Sequence, residues 1–518
     1  MADRYTAPDF LVMAALASLA LVLAALMAQH VTEGIPHLED EIAYLFQART
    51  FARGALGAPP PPDSRSFFIP FTLIVKHRWV GKYPIGWPLM LAVGERLGAG
   101  WLVNPMLGAL LVALTYALGR DLFSREVGAL AGLLALSSPF FLIQSSTYMS
   151  HAASALWFTA LMWAGLHVET ARESGVRCYG WSALSGAALG MLILTRPLTA
   201  LGAAAPFGVV LLVSMVRQPS AAVQLARTYW PLALAGLALA AVQPLYLALA
   251  TGSPTTNLYT LIWPYDRLGF GAGVGPYGGH TIRQGLITAW QDLRLWAGDL
   301  FGWPHSSWVP LVLGVMFGLR EAKPKRQVWS IVLVAPFISL VIVHIAYWVG
   351  AQAYGPRYYY EAHAGLAITA ALGLRGVVRW TSRLAGRLCR PADANQSLER
   401  LAWLLLAGLL AALLVLNVYV YLPDRLADWY ALYGITSAPI DALDGLRQGE
   451  RVLVFVRGRF WKQYGALFSL NNPWLDGPVV VAHDITPAIN QAIAGRFPER
   501  DVWYYRAGVF SRKPFPYP

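Results

Sequence analysis

The stretch HLEDEIAYLFQARTFARG, residues 37–54, sets three acids in a row, Glu39, Asp40 and Glu41, with Arg49 and Arg53 behind them. Farther along, WVGKYPIGWP at 79–88 carries Lys82 among two prolines and two tryptophans, and TYMSHAAS at 147–154 carries His151. TRP at 195–197 carries Arg196, and YGPRYYYEAH at 354–363 carries Arg357, Tyr358, Glu361 and His363. A carboxylate takes a proton from an incoming nucleophile. Lysine and arginine hold phosphate, the guanidinium through paired N–H bonds. Such a set suits attack on an anionic substrate, provided that segments far apart in the chain converge.

The elements that must bring them together are membrane helices. The chain of 518 residues is 56% hydrophobic and 13% charged, against about 25% charged in soluble domains. Its 20 tryptophans and 24 tyrosines suit membrane–water interfaces. Apolar runs of spanning length fall near 10–29, 101–119, 127–145, 150–168, 180–195, 198–216, 229–250, 303–319, 328–348, 358–374 and 401–422. The expected fold is therefore an all-α polytopic membrane protein with about eleven transmembrane helices. The first run reads as a retained helix rather than a cleaved signal. The run at 84–98, broken by Pro84, Gly86, Pro88, Glu95 and Arg96, reads as interfacial or re-entrant.

Charge sets the orientation. With a cytoplasmic N-terminus, one side holds Arg120 and Arg125; Arg172 and Arg177; Arg217 and Arg227; Arg320, Lys323, Lys325 and Arg326; and the arginine-rich stretch from Arg375 through Arg390 to Arg400. The short loops opposite hold only Arg196. This positive-inside bias accounts for the net charge of +12 without nucleic acid. Cys178 and Cys389 fall on the cytoplasmic side, where no disulfide is expected.

Three outer segments are long: 30–100, 251–302 and the tail from 423. Proline and glycine tracts in the first two read as loops. GAGVGPYGG lacks the strand–turn–helix context of a nucleotide fingerprint. In the tail, RVLVFV, PVVVAHDI and DVWYY read as strands, and TPAINQAIAGRF reads as a helix capped by Thr486. The expected organisation is a transmembrane module over 1–422 and a small extracytoplasmic α/β domain over 423–518.

All the reactive residues then lie on the outer side. Two readings of the acids remain open. They can cap a surface helix that turns Ile42, Leu45, Phe46 and Ala48 to lipid. Alternatively they serve chemistry with Lys82, Arg357 and Arg49, with Glu41 pairing to Arg49. His151, Arg196, Glu361 and Tyr44 are further substrate-binding candidates. Because the helix centres are nearly free of charge, surface chemistry is favoured over transport by a lipid-linked-sugar carrier or flippase.

The arrangement resembles the GT-C superfamily of membrane glycosyltransferases, in the branch of protein O-mannosyltransferases and aminoarabinose transferases. The resemblance covers roughly residues 10–422. It rests on Asp40-Glu41 followed by Ile42-Ala43-Tyr44 after the first helix, on Lys82-Tyr83-Pro84 closing that loop, and on Arg357-Tyr358 after a late outer loop. It implies a polyprenyl-phosphate sugar donor and a lipid, glycan or protein acceptor, at the outer face of a bacterial plasma membrane. It also implies Asp40 as catalytic base with Glu41 beside it, and Lys82, Arg357 and Tyr358 near the donor phosphate. An oligosaccharyltransferase with a diphosphate donor is the related alternative. Aminoarabinose transferases carry a metal-site Glu just before the lysine, where this chain has Gly81. A divalent metal is therefore left open, and no other cofactor is implied.

Overall fold

The computed structural model describes residues 5–217, 219–321, 323–350, 352–388 and 394–517. Cys389 and Arg390, assigned above to a cytoplasmic loop, lie outside the described residues. Among these residues, six helical runs are long and apolar enough to cross a membrane. They are α1 (Ala7–His30), Gly100–Leu122, Pro197–Arg217, Ala222–Thr251, Pro324–Ile345 and Ser397–Gly434. Tyr179–Thr195 and Val309–Gly318 are shorter apolar helices.

Of the about eleven spans expected, six meet this length and composition among the described residues, and several of the other runs are shorter or interrupted. The run 127–145 breaks into Arg125–Ser137 and Pro139–Gln144. A residue preceding proline is pushed out of the helical region, and Ser138 instead caps the second piece by accepting from the Phe141 N–H at 3.1 Å. The run 303–319 becomes helical only from Val309. His151–Glu173 and His363–Leu388 have the length, but polar residues lower their hydropathy, among them His151 and His167 in the first and Arg375 and Arg379 in the second. The final run passes through residue 422 and ends at Gly434.

Several arginines assigned to one membrane side also lock helix ends together. Asp9, at the start of α1, takes Arg120 at 3.2 Å and Arg125 at 2.9 Å. Arg375 pairs with Glu321 at 2.8 Å. The acidic triplet follows the far end of α1, whose 24 residues span about 36 Å at 1.5 Å per residue.

Helix α2 (Glu39–Ala52) carries the acids in its first turn, where the helix dipole favours negative charge. Its apolar residues do not face lipid, contrary to one reading of the sequence. Ala43, Tyr44, Leu45 and Ala48 pack into the helical core. Ile42 and Phe46 join the core of the C-terminal sheet. The helix is buried on both faces because the tail folds back over it.

After α2 the chain forms a hairpin of β1 (Thr72–Val75) and β2 (Arg78–Gly81). Its turn residues Lys76 and His77 both have positive φ, 46° and 60°. That geometry belongs to two-residue hairpins usually built on Asn-Gly, so the sequence concealed it. The broken run at 84–98 becomes α3 (Gly86–Arg96). A Cβ at Gly86 would lie 2.7 Å from the Leu194 backbone, so glycine lets the two helices touch. The outer segment 251–302 is not all loop, since Ile282–Asp299 is helical. Its capping box, Thr281 with Gln284, was readable but overlooked.

The tail forms a sheet in the order β4-β3-β5-β6: β3 (Val452–Val456), β4 (Val479–His483), β5 (Asp501–Arg506) and β6 (Val509–Ser511). Strand β3 is parallel to both β4 and β5, and β6 is antiparallel to β5. The β-branched runs read as strands are the parallel ones. Thr486 caps the helix Pro487–Ala494, as its sequence predicts.

Candidate active site

Asp40 stands in the first turn of α2, at the edge of a cavity of about 730 Å³. Its Oδ1 accepts a hydrogen bond from the Tyr83 hydroxyl. Its Oδ2 lies 3.8 Å from an Nη of Arg357. Tyr44, one helical turn on, packs at a tilt against Tyr83 with centroids 4.4 Å apart. The first turn of α2 and the segment after β2 thus present a carboxylate and a phenol to the same space.

Lys82 follows β2 and points into the cavity. Its Nζ lies 3.6 Å from Asp266 and faces four rings: Phe71 at 3.8 Å, Tyr259 at 4.9 Å, Trp263 at 5.1 Å and Tyr83 at 5.2 Å. The rings exclude water while their faces attract the cation. Burial pulls the lysine below its ordinary pKa, and Asp40 and Asp266 oppose that pull. Arg357 is also buried. Burial works against its charge, but Asp40 together with Tyr358, Tyr83 and Tyr44 outweighs it, and the guanidinium is held above its ordinary range. Its Nε proton has no acceptor among the described residues.

Arg196, in the same cavity wall, lies 3.4 Å from Glu361 and shares contacts with Ser150 and His151 at 3.3 and 3.2 Å. Tyr44 meets Ser150 at 3.3 Å. Glu361 also accepts from the Ser154 hydroxyl. Glu361 and His151 are fully buried behind the wall and hold Arg196 in place. Tyr358 lines the cavity and stacks on His344 at 4.8 Å.

Like His151 and Glu361, the candidates Glu41 and Arg49 do not line this space. Glu41 accepts the His37 and Leu38 N–H groups at 2.9 Å each and the Tyr148 N–H at 2.8 Å. Burial raises its pKa to about 7 against these hydrogen bonds. It ties the first outer loop to the loop before His151. Arg49 does not pair with Glu41. It binds Glu95 at 2.9 Å and the carbonyls of Ser469 and Asn471 at 2.6 and 2.9 Å, fastening the C-terminal part to α2 and α3.

The described residues do not fit a metal. Among the described residues, no group of three or more His, Cys, Asp or Glu side chains could hold one. At Gly81 a Cβ would fall 2.6 Å from the Gln47 side chain, so that space is filled by packing.

Sequence reasoning missed Tyr83, although it stands inside the quoted Lys-Tyr-Pro, and it missed Asp266 and Trp263. The signal was an acid beside an aromatic run, WPYDR at 263–267, in the long outer segment 251–302. It also passed over His344, an ionisable residue inside an apolar span.

No sequence-family profile matches the chain, and no curated protein matches it. Its fold does match solved structures. ArnT from Cupriavidus metallidurans bound to undecaprenyl phosphate superposes with a TM-score of 0.59, covering 96% of this chain and 90% of that one at 15% identity. The chain shares the fold of this ArnT. The apo state of the same ArnT gives 0.55, with 93% and 87% covered at 14% identity. The archaeal oligosaccharyltransferase AglB from Archaeoglobus fulgidus gives 0.49, with 96% and 69% covered at 13% identity. The GT-C resemblance read from three short motifs is thus matched at the level of the whole fold.

Proposed function

We propose that this GT-C protein is a glycosyltransferase of the bacterial plasma membrane. It moves a sugar from a polyprenyl-phosphate donor to an acceptor hydroxyl at the outer face. Asp40 removes the hydroxyl proton as the oxygen attacks the anomeric carbon. The bond from that carbon to the phosphate oxygen breaks in the same step, inverting the centre. Lys82 and Arg357, with Arg196 beside them, neutralise the departing polyprenyl phosphate. Fixed charges aimed at developing charge in a water-poor site are often the largest catalytic contribution.

The observation that carries this reading is Asp40 facing Lys82, Arg196 and Arg357 around a single cavity with mostly apolar walls, whose lining also includes Arg267 and Asp266, the latter 3.6 Å from Lys82. The undecaprenyl phosphate bound by the ArnT of the same fold supports the choice of donor. Glu41 and Arg49 then act by holding α2 in position rather than on substrate. The N-terminus is placed in the cytoplasm and residues 423–518 outside on the positive-inside argument.

Purified protein, incubated with a radiolabelled polyprenyl-phosphate sugar and a membrane extract as acceptor, should release labelled product. A diphosphate donor should compete poorly. Preference for the diphosphate would favour an oligosaccharyltransferase. Lipid movement across vesicles without any transfer would favour a flippase.

A further inference from the structure

The C-terminal sheet holds a second cavity, of about 400 Å³, that the proposed reaction does not use. Its position follows from topology. From β3 the chain passes through the helix Trp461–Phe468 to β4 on one side, then through Pro487–Ala494 to β5 on the other. Connections that leave a strand in opposite directions open a crevice at the carboxyl ends of the two strands between them. Ligands of open α/β sheets bind at such a point. Here those strands are β3 and β5, paired in parallel with Val456 opposite Tyr505. The cavity is lined by Arg457, just past β3, and by Tyr505, Arg506, Ala507 and Gly508 at the end of β5.

The lining fixes the ligand chemistry. Arg457, Lys462 and Arg506 face the crevice, and no carboxylate lines it. Arg457 is already held by Asp484 at 2.8 Å and by the Pro516 and Phe515 carbonyls. Lys462 and Arg506 are exposed, and among the described residues neither is paired with an acid. Tyr464 and Tyr505 add aromatic wall. Cations beside aromatic rings suit a saccharide that carries an oxyanion.

The helix carrying Lys462 and Tyr464 also touches the acidic loop. Trp461, which opens the helix carrying Lys462 and Tyr464, donates its indole N–H to the His37 carbonyl at 2.8 Å. His37 lies three residues before Asp40.

We propose that this crevice binds an anionic saccharide, a sugar bearing phosphate or carboxylate, with Lys462 and Arg506 taking its charge. That this saccharide belongs to the acceptor rests on the proposed glycosyltransferase reading.

The test is calorimetric titration of the full-length protein in detergent with glucose 1-phosphate, with glucuronate and with neutral glucose. At least one anionic sugar should bind and glucose should not. The first two arms separate phosphate from carboxylate. The double variant Lys462→Ala/Arg506→Ala should weaken that binding about tenfold or more, equivalent to 1.4 kcal/mol, with an unchanged melting midpoint. Lys82→Met should leave it intact. Absence of binding to either anion, equal binding by the double variant, or loss in Lys82→Met would each overturn the proposal. The readout is binding, so a failure of sugar transfer leaves the crevice standing. If transfer occurs, the double variant should raise the acceptor KM and leave the donor KM unchanged; an unchanged acceptor KM refutes the assignment to the acceptor.

Discussion

Asp40→Asn separates the chemistry from the fold. Asparagine keeps an oxygen that can accept the Tyr83 hydroxyl, so that hydrogen bond survives. It removes the negative charge 3.8 Å from Arg357. At an effective dielectric of about 20, that attraction is about 4 kcal/mol, which bounds the stability lost. The Asp40 side chain is 26% exposed, so solvent relieves part of the loss. A fall of a few degrees in melting midpoint is expected, with the protein still folded. Turnover should fall about 10²–10⁴-fold, the range for loss of a positioned general base. Donor binding should move the other way. Arg357 loses its internal counter-ion, so polyprenyl phosphate should bind as tightly as before or more tightly. Single-turnover transfer from labelled donor gives the rate, and equilibrium binding of polyprenyl phosphate gives the affinity. Turnover within a few-fold of wild type would remove Asp40 as the base. Donor binding weakened in proportion to the lost rate would make Asp40 a positioning residue for Arg357.

Lys82→Met keeps the stem among its four rings but removes the charge, so transfer should fall about 10²-fold or more with weaker donor binding. Unaltered donor affinity would place the phosphate elsewhere. Glu41 holds its proton more tightly when folded, with a pKa moved from 4.5 to about 7. Between those values the folded state binds the proton and the unfolded state does not, so this group's contribution to stability falls as pH rises through that window, by about 3 kcal/mol at 1.36 kcal/mol per unit. Thermal melts of wild type against Glu41→Gln should show this slope flattened in the variant, and equal slopes would refute it. Arg49→Ala removes two carbonyl contacts and the Glu95 pair, so it should cost about 1.5–3 kcal/mol and expose the tail to limited proteolysis. An unchanged digestion pattern would show that the tail is held by other contacts.

Much of this protein is legible in its sequence because hydropathy and side-chain chemistry are local properties. The apolar runs, the three parallel strands of the tail and the residues Asp40, Lys82, Arg196 and Arg357 can be read directly. What cannot be read is direction. Successive residues on a helix diverge by about 100°, so Glu39, Asp40 and Glu41 cannot share a face. Asp40 meets the cavity, while Glu41 turns inward to bind backbone N–H groups. The hairpin at Lys76-His77 and the placement of Asp266 beside Lys82 likewise depend on contacts between distant segments. The clearest case is α2, whose apolar residues would suit lipid equally well. Only the tail's return, sealed by Arg49 on the Ser469 and Asn471 carbonyls, covers them with protein. Sequence determined which residues carry charge and which segments are apolar. Tertiary packing decided which charges share a cavity, because their mutual distances are set by the folding together of segments hundreds of residues apart.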